Sequence, residues 1–298
     1  MQSARITHVA TVLAVSCGLL WGLYWLPVRA LADAGLEGAW GTFLITASAM
    51  IVLLPFAVRY RYDFRTSSPL TLAAIALGGA AFALYSIGFV YGRVAIIVLL
   101  FFLTPVWSTL IGRYILGWQT PPLRLAAIAV GLVGLALMLS ADGHWPIPRN
   151  IGEWMGLTSG ILWSISSTAM RARASLKPGA AAFVFACGAA FASLVIAVAM
   201  ATPPAFADAG RIAVIAFGTG TLWWGLTIIA LIWATMRLDP ARTGILLMSE
   251  VLVGATSAAI IAQETLSPLE IIGGLFVLAA AILELWPTKQ GQTASGRA

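Results

Sequence analysis

Charged side chains are scarce in this sequence. They make up 9% of its 298 residues, whereas a soluble domain carries about 25%. Hydrophobic residues reach 60%, and so little charge cannot cover a soluble core of that composition. The shortage therefore excludes a water-soluble globular domain and indicates an integral membrane protein whose apolar residues face the lipid bilayer.

Acidic residues are the scarcer charged class, with 11 Asp and Glu against 17 Lys and Arg. A net charge of +6 could favour nucleic-acid binding, but the basic residues are scattered through short connections and form no continuous patch. We therefore expect no nucleic-acid partner. Scattered cations of this kind suit short loops between membrane spans.

Cysteine and histidine are rare as well. Cys17 and Cys187 lie far apart within apolar runs, which predicts neither a disulfide framework nor a metal site. A membrane-embedded enzyme would need paired carboxylates, a His-rich metal cluster or a nucleophile with its base, and the sequence offers none of these patterns. A Walker-type phosphate loop is also missing. We therefore expect no cofactor, no metal, no enzymatic activity and no ATP-driven step.

Long apolar runs make up most of the sequence. A helix needs about 20 residues to cross roughly 30 Å of hydrocarbon, and ten such runs occur. The first run, after Arg5, exceeds the ~7–15-residue core of a cleaved signal peptide, so we interpret it as a span. The polar tail 289–298 is expected to be disordered. The ten predicted spans are 9–31, 38–57, 69–90, 94–116, 122–140, 151–171, 179–200, 212–233, 240–262 and 267–286.

The distribution of Lys and Arg between the loops predicts an orientation. If both termini lie on one side, that side receives all but four of the 17 basic residues. Cytoplasmic loops carry the excess of Lys and Arg in membrane proteins. We therefore expect a protein of the cytoplasmic (inner) membrane with both termini in the cytoplasm. The four basic residues on the other side are Arg29, Arg93, Arg149 and Arg211.

Two short motifs recur in the two halves of the chain. Residues 18–22, Gly-Leu-Leu-Trp-Gly, match residues 160–164, Gly-Ile-Leu-Trp-Ser. Residues 116–122, at the end of span four, resemble residues 261–268, at the end of span nine. Each copy of this second motif leads through a proline into a glycine-bearing apolar helix. The pattern indicates an internal repeat.

Five spans separate the copies of each motif. Because five is odd, the second copy must insert upside down relative to the first, as in many secondary transporters. The predicted fold is therefore an all-α membrane protein of ten transmembrane helices, built as two inverted five-helix repeats. The repeats are residues 1–145 and 146–288.

The two units resemble the EamA-type carriers of the drug/metabolite transporter superfamily. Each has a Gly-x-x-Trp-Gly/Ser first helix and a Pro-initiated, glycine-bearing last helix, and the resemblance covers residues 9–286. Within that superfamily the chain most resembles the YddG-type exporters of aromatic amino acids and methyl viologen. The resemblance implies a central cavity, a substrate site near the midplane and alternating access. The chain departs from the usual pattern at Gln119, where a Glu like Glu264 is common, and at Glu250, where a proline is common.

Glu250 lies near the centre of predicted span nine, where burying a charge costs roughly 2.5–3.5 kcal/mol on insertion scales. It could bind a substrate ammonium or a coupling proton, or it could serve as protonated structural glue between helices. Pro105 takes the equivalent position in span four, with Thr104 matching Ser249. Its missing N–H frees a carbonyl one turn earlier. That carbonyl could face a cavity, or the proline could form an ordinary kink.

Several aromatic residues are predicted at mid-span, away from the interfacial belts that Trp and Tyr prefer. A Trp at that depth needs a partner for its N–H. The matched Trp21 and Trp163 are the best candidates for the walls of a site, and helix packing is the alternative for each ring. Together with Glu250 and Pro105, the predicted substrate-binding residues are Trp21, Tyr24, Phe82, Tyr85, Phe101, Trp163, Ser164 and Trp223.

These features predict a secondary exporter of small organic solutes, with aromatic or large neutral amino acids as first-ranked substrates. A single carboxylate among aromatic rings suits an ammonium group joined to an apolar side chain. Efflux of organic cations such as methyl viologen is the alternative, and a membrane-embedded scaffold or enzyme is the alternative from another class. Protons are candidate coupling ions, and we expect a monomer because ten helices can enclose a cavity in one chain.

Overall fold

The computed structural model describes residues 2–117, 121–141, 143, 145–173, 176–200, 204, 208–235, 237–238 and 246–285. Over these residues the chain is helical and contains no strand, which confirms the predicted all-α class. The elements are α1 (Gln2–Gly22), α2 (Trp25–Asp33), α3 (Trp40–Arg59), α4 (Arg61–Thr66), α5 (Pro69–Tyr91), α6 (Val94–Phe101), α7 (Thr104–Tyr114), α8 (Pro122–Leu139), α9 (Ile151–Arg173), α10 (Pro178–Met200), α11 (Ala209–Thr219), the π-helix π1 (Gly220–Thr227), α12 (Ile228–Thr235), α13 (Ser249–Ile261) and α14 (Pro268–Leu285).

Seven helical segments are long and apolar enough to cross a membrane. They are Arg5–Asp33, Trp40–Arg59, Pro69–Tyr91, Val94–Tyr114, Pro122–Leu139, Pro178–Met200 and Ala209–Leu231. Two shorter apolar helices, Ser249–Ile261 and Pro268–Leu283, fall within the ninth and tenth predicted spans. The ten-span count and the division into 1–145 and 146–288 stay predictions. The tail 289–298 and Gln119 lie outside the described residues.

Predicted spans one and four are each divided into two helices. The first is interrupted between Gly22 and Trp25, and the second between Phe101 and Thr104. Proline explains both breaks, because its ring clashes with the carbonyl four residues earlier and its nitrogen carries no hydrogen. Pro27 acts in this way at the first break and Pro105 at the second. The carbonyl that Pro105 frees, that of Phe101, accepts a hydrogen bond from the Thr104 hydroxyl at 2.6 Å.

A similar local arrangement begins α13, although no proline is present there. The Ser249 hydroxyl donates to the Leu246 carbonyl at 2.8 Å, three residues earlier, as Thr104 does to Phe101. The sequence match of Thr104 with Ser249 therefore corresponds to two helix starts with the same hydroxyl-to-carbonyl hydrogen bond. Each of these starts lies near the centre of a predicted span.

Predicted span eight is not a uniform α-helix. It begins at Ala209, earlier than the predicted residue 212, because the Asp208 carboxylate caps the helix by accepting from the Arg211 N–H at 3.0 Å. Its middle portion, Gly220–Thr227, is π-helical. A π-helix closes i→i+5 hydrogen bonds, is rare in proteins, and is frequently found at functional sites. Hydrophobic periodicity carries no signal for it.

Glycines allow several helices to approach each other closely, as small residues do in membrane proteins generally. A Cβ atom added to Gly79 of α5 would lie 1.9 Å from the Phe185 carbonyl oxygen of α10. Added to Gly134 of α8, it would lie 2.7 Å from the Gly273 carbonyl oxygen of α14. These backbone contacts hold α5 against α10 and α8 against α14.

Replacing Gly79 with alanine is expected to destabilise the bundle. The added methyl would meet backbone rather than a movable side chain, so α5 and α10 must separate, at an overpacking cost of about 1–3 kcal/mol. The midpoint of thermal unfolding in detergent should fall accordingly. Gly218→Ala is the matched control, because an added Cβ there meets nothing within 4 Å. Equal midpoints for the two variants would contradict the close packing of α5 on α10.

Candidate functional site

The interior of the bundle contains a connected group of aromatic side chains centred on Phe82 of α5. Its ring centroid lies 5.2 Å from that of Trp21 and 5.0 Å from that of Trp163, the two matched tryptophans. Phe101 and Phe185 follow at 5.3 and 5.4 Å. We call the full set the aromatic cluster: Trp21, Tyr24, Phe82, Tyr85, Phe89, Phe101, Trp163, Phe185, Trp223 and Trp224.

The π-helix supplies two members of the aromatic cluster from consecutive positions. The Trp223 indole donates to the Leu20 carbonyl at 2.7 Å, and the Trp224 indole donates to the Tyr24 hydroxyl at 3.0 Å. Gly220 lets π1 rest on α3, since a Cβ there would lie 2.5 Å from the Ile45 carbonyl oxygen. The wide turn thus directs two neighbouring indoles toward α1 and the break between α1 and α2.

Several buried polar atoms of the aromatic cluster are hydrogen-bonded to neighbouring residues. The Trp21 indole donates to the Thr227 hydroxyl at 3.0 Å, and the hydroxyls of Tyr24 and Ser86 lie 3.0 Å apart. Tyr24 and Ser86 are fully buried. Trp21, Trp223 and Trp224 therefore have the hydrogen-bond partners expected of mid-depth tryptophans, whereas the buried indole N–H of Trp107 has none among the described residues. These bonds fix the ring orientations.

Glu250 is the buried carboxylate at the edge of the aromatic cluster. Its side chain is 7% exposed, and its Oε1 accepts a hydrogen bond from the Tyr85 hydroxyl at 2.9 Å. The Tyr85 ring packs at 4.6 Å from the centroids of both Phe89 and Phe101. Glu250 is the second residue of α13, where the positive end of the helix dipole favours negative charge. Helix α1 holds this turn in place, because Gly22 lies against the Glu250 carbonyl oxygen.

Glu250 differs from the other two buried glutamates of the described chain in its partners. Glu153 accepts from the Arg149 N–H and the Asn150 amide, and Glu270 pairs with the guanidinium of Arg93. No cationic side chain in the described ranges lies within 4 Å of Glu250. A buried carboxylate without a cation is costly unless it takes up a proton or binds a cation from outside.

Two predicted site residues lie beside the helix break rather than among the rings. The Ser164 hydroxyl donates to the carbonyls of Thr104 and Gly160, at 2.9 and 2.7 Å, and so connects α9 to the start of α7. Pro105 follows Thr104 in the first turn of α7. The structure thus brings the other eight predicted residues together in or next to the aromatic cluster, with Ser164 and Pro105 at its border.

Sequence reasoning did not select Phe185 or Trp224 for the site. Phe185 packs between Trp163 and Trp224, at 6.1 and 5.7 Å between ring centroids. Its run in predicted span seven carries no repeat motif that would single it out. Trp224 directly follows Trp223 in the π-helix, and both indoles donate hydrogen bonds to residues of α1 or of the break after it.

One end of the bundle carries an ion pair between distant parts of the chain. The Arg29 guanidinium of α2 lies 2.8 Å from the Glu264 carboxylate, and it also donates to the Phe89 and Gly92 carbonyls, each at 3.0 Å. Glu264 in turn accepts from the first two backbone N–H groups of α6, at 3.0 and 3.3 Å. The Glu264 carboxylate therefore joins α2 and the start of α6 to the segment that follows α13, and Arg29 adds the end of α5 to this contact.

A second ion pair lies nearby, between Arg93 and Glu270. Glu270 also accepts from the Ser267 N–H at 2.8 Å, and Arg93 donates to the Thr265 carbonyl at 3.3 Å. Partial burial lowers the pKa of Arg93, but the hydrogen bond and charge of Glu270 outweigh this and leave the pKa above its ordinary value. We call the Arg29–Glu264 and Arg93–Glu270 pairs together the double ion pair.

The described residues thus form an all-helical bundle with apolar helices of membrane-spanning length, and an enclosed aromatic cluster lies beside one carboxylate that no described cation neutralises. Residues 8–140 match the model of the EamA-like transporter family, a family within the drug/metabolite transporter superfamily. The match supports a membrane transporter of small solutes and is consistent with the expectation of no enzymatic activity.

The fold also has a counterpart among solved structures. One crystal structure, of a protein 17% identical in sequence, superposes with a TM-score of 0.61 over 92% of this chain and 95% of that one. At this level of identity the similarity concerns the fold alone. No curated protein matches the chain in sequence.

Proposed function

We propose that this protein is a secondary transporter that exports aromatic or large neutral amino acids from the cytoplasm. The observation that carries the proposal is the Glu250 carboxylate, buried beside the aromatic cluster with Tyr85 as its hydrogen-bond donor and no cationic side chain among its described neighbours. A substrate ammonium would supply the missing positive charge. The rings of the cluster would receive the apolar side chain of the same substrate.

The proposed mechanism is alternating access between two inverted five-helix halves. In support of it, the matched motifs make matching contacts: Gly18 lies against Ser249 at the start of α13, and Gly160 lies against Phe101 just before α7. Helices broken near mid-span are typical of the substrate sites of secondary transporters. The double ion pair joins elements from opposite halves, and we propose that it closes one end of the pathway.

The same site favours a second candidate substrate class, organic cations such as methyl viologen. A flat dication could stack on the rings and neutralise Glu250 without any hydrogen bond, because cation–π attraction needs none. Amino acids and organic cations share the carboxylate and the rings. Organic phosphates fit poorly, because phosphate recognition needs a cation and, among the described residues, no Lys or Arg side chain lies over a ring of the aromatic cluster or pairs with Glu250.

The decisive experiment is counterflow in proteoliposomes loaded with unlabelled solute. Labelled tryptophan, phenylalanine, leucine and methyl viologen would be tested against glutamate and a sugar phosphate. Accumulation of the neutral amino acids is expected, and accumulation of methyl viologen alone would favour the second class. If none of the first four solutes accumulates while the protein is folded and reconstituted, the proposed function is wrong.

Orientation, location and coupling complete the proposal. The concentration of Lys and Arg on the side of the termini supports a cytoplasmic-membrane protein with both termini in the cytoplasm. We propose that one chain is the transporting unit, and that protons can replace the substrate at Glu250. A pH gradient imposed on the proteoliposomes should then drive substrate accumulation.

A further inference from the structure

Two cations converge on one aromatic ring where α3 ends and α10 begins. The Lys177 Nζ atom lies 4.7 Å from the centroid of the Tyr60 ring, and the Arg59 guanidinium carbon lies 5.6 Å from the same centroid. Arg59 is the last residue of α3, and Lys177 directly precedes α10. Both side chains are exposed. Two positive charges from distant parts of the chain therefore lie next to the same tyrosine ring.

The surrounding structure fixes this pair of cations. Helices α3 and α10 are in contact next to it, because Gly179 lies against the Phe56 ring: a Cβ there would be 2.6 Å from its Cδ1. The Lys177 carbonyl accepts the Ala181 N–H at 2.9 Å and so belongs to the first turn of α10. Phe64 of α4 packs on Phe183 of α10, with 6.4 Å between ring centroids.

Nothing in the described ranges neutralises these charges. Neither Arg59 nor Lys177 forms an ion pair with any described carboxylate, although Asp63 lies nearby in sequence. The amino end of the 23-residue helix α10 adds the positive end of its dipole at the same place. Exposed Arg61 and Arg65 of α4 add to the positive potential. The local field therefore favours an anion between the ends of α3 and α10.

Apolar surface leads directly up to the cations. Along the last turns of α3, Leu54 is 49% exposed, Phe56 is 38% exposed and Val58 is 62% exposed. This helix is one of the seven that are apolar and long enough to span the membrane, and it ends at Arg59. A lipid whose phosphate binds there could cover these exposed side chains with its acyl chains. A free phosphate would leave them uncovered.

We propose that Arg59, Lys177 and Tyr60 form a binding site for the phosphodiester headgroup of an anionic phospholipid, whose acyl chains lie along the exposed face of α3. The phosphate is held between the guanidinium and the ammonium, with Tyr60 keeping the two cations in position. Basic sites between transmembrane helices bind anionic lipids in this manner. The site is separate from the aromatic cluster and does not depend on what the protein transports.

The test compares lipids in detergent solution, with phosphatidylglycerol as the probe and phosphatidylcholine as the reference. Native mass spectrometry would count bound lipids, and thermal unfolding would report stabilisation. Wild type is expected to bind phosphatidylglycerol in preference to phosphatidylcholine. Arg59→Gln and Lys177→Gln should each weaken that binding about fivefold, the effect of one basic residue at a membrane surface. Lys177→Arg should preserve it.

Arg211→Gln is the matched control, because Arg211 is also exposed but lies at the start of α11, away from this site. Its phosphatidylglycerol binding should equal that of wild type. Unfolding in phosphatidylcholine alone shows whether each variant is folded. Equal phosphatidylglycerol binding by wild type and by the Arg59→Gln/Lys177→Gln double variant would overturn the proposal. So would equal stabilisation by inorganic phosphate, which would indicate a soluble anion instead.

Discussion

Glu250→Gln is expected to reduce transport of ammonium-bearing substrates at least about tenfold, the loss that follows when a charged hydrogen bond is replaced by a neutral one. The substitution keeps the shape of the side chain and an oxygen that can accept from Tyr85, which donates to Glu250 at 2.9 Å. It removes the negative charge that no described cation balances. Initial rates of counterflow in proteoliposomes, measured at several pH values, provide the test.

Tyr85→Phe is the companion variant for this experiment. It removes the hydroxyl that donates to Glu250 but leaves the carboxylate and the ring contacts with Phe89 and Phe101. We expect a smaller loss of rate and a retained pH dependence. A Glu250→Gln protein with the rate, affinity and pH profile of wild type would show that the carboxylate serves as structural glue, the alternative considered from the sequence.

Breaking the Arg29–Glu264 ion pair is expected to open one end of the bundle. Glu264→Gln keeps one oxygen that can accept from a backbone N–H at the start of α6, but it loses the second acceptor oxygen and the charge that attracts Arg29. The ion pair is mostly buried, with side-chain exposures of 29% and 9%, so its loss should destabilise the closed arrangement by about 1–3 kcal/mol. Several-fold faster access of thiol reagents to the interior should follow.

The measurement uses a single cysteine at position 86, introduced as Ser86→Cys after Cys17 and Cys187 have been replaced by alanine. Ser86 is fully buried and follows Tyr85 of the aromatic cluster. Labelling by a thiol reagent applied from each side should quicken from one side only in Glu264→Gln. Glu37→Gln, which changes an exposed carboxylate instead, should label at the rate of the parent. Unchanged labelling of Glu264→Gln would mean that this ion pair does not close the pathway.

The match between the two halves singled out two rings that the structure brings together in the aromatic cluster. Trp21 and Trp163 occupy the same place in their motifs, and their rings lie on Phe82 at 5.2 and 5.0 Å. A motif repeated in two helices of a bundle indicates equivalent packing positions, and both motifs carry the small residues that allow close approach. A proline acts on its own helix through its missing N–H. A break at Pro105 could therefore be predicted from that one residue.

Other features depended on contacts that no pattern within one helix reveals. The π-helical turn that directs Trp223 and Trp224 inward is stabilised by bonds to Leu20 and Tyr24, about 200 residues away in sequence. The partner of Glu250 could not be inferred either, because a carboxylate buried in a span has the same sequence signal whether it meets an arginine, a tyrosine or a substrate.

By itself, the sequence determined that this protein lies in a membrane and that it is built of helices. A chain with long apolar runs and few charged residues requires a bilayer, because it has too little charged surface to cover its apolar residues in water. This conclusion depends on the sequence alone. Only the tertiary structure decided which polar groups meet inside. Hydrogen bonds and ion pairs act over about 3 Å, so the Tyr85–Glu250 contact and the double ion pair exist only once distant helices have been packed together.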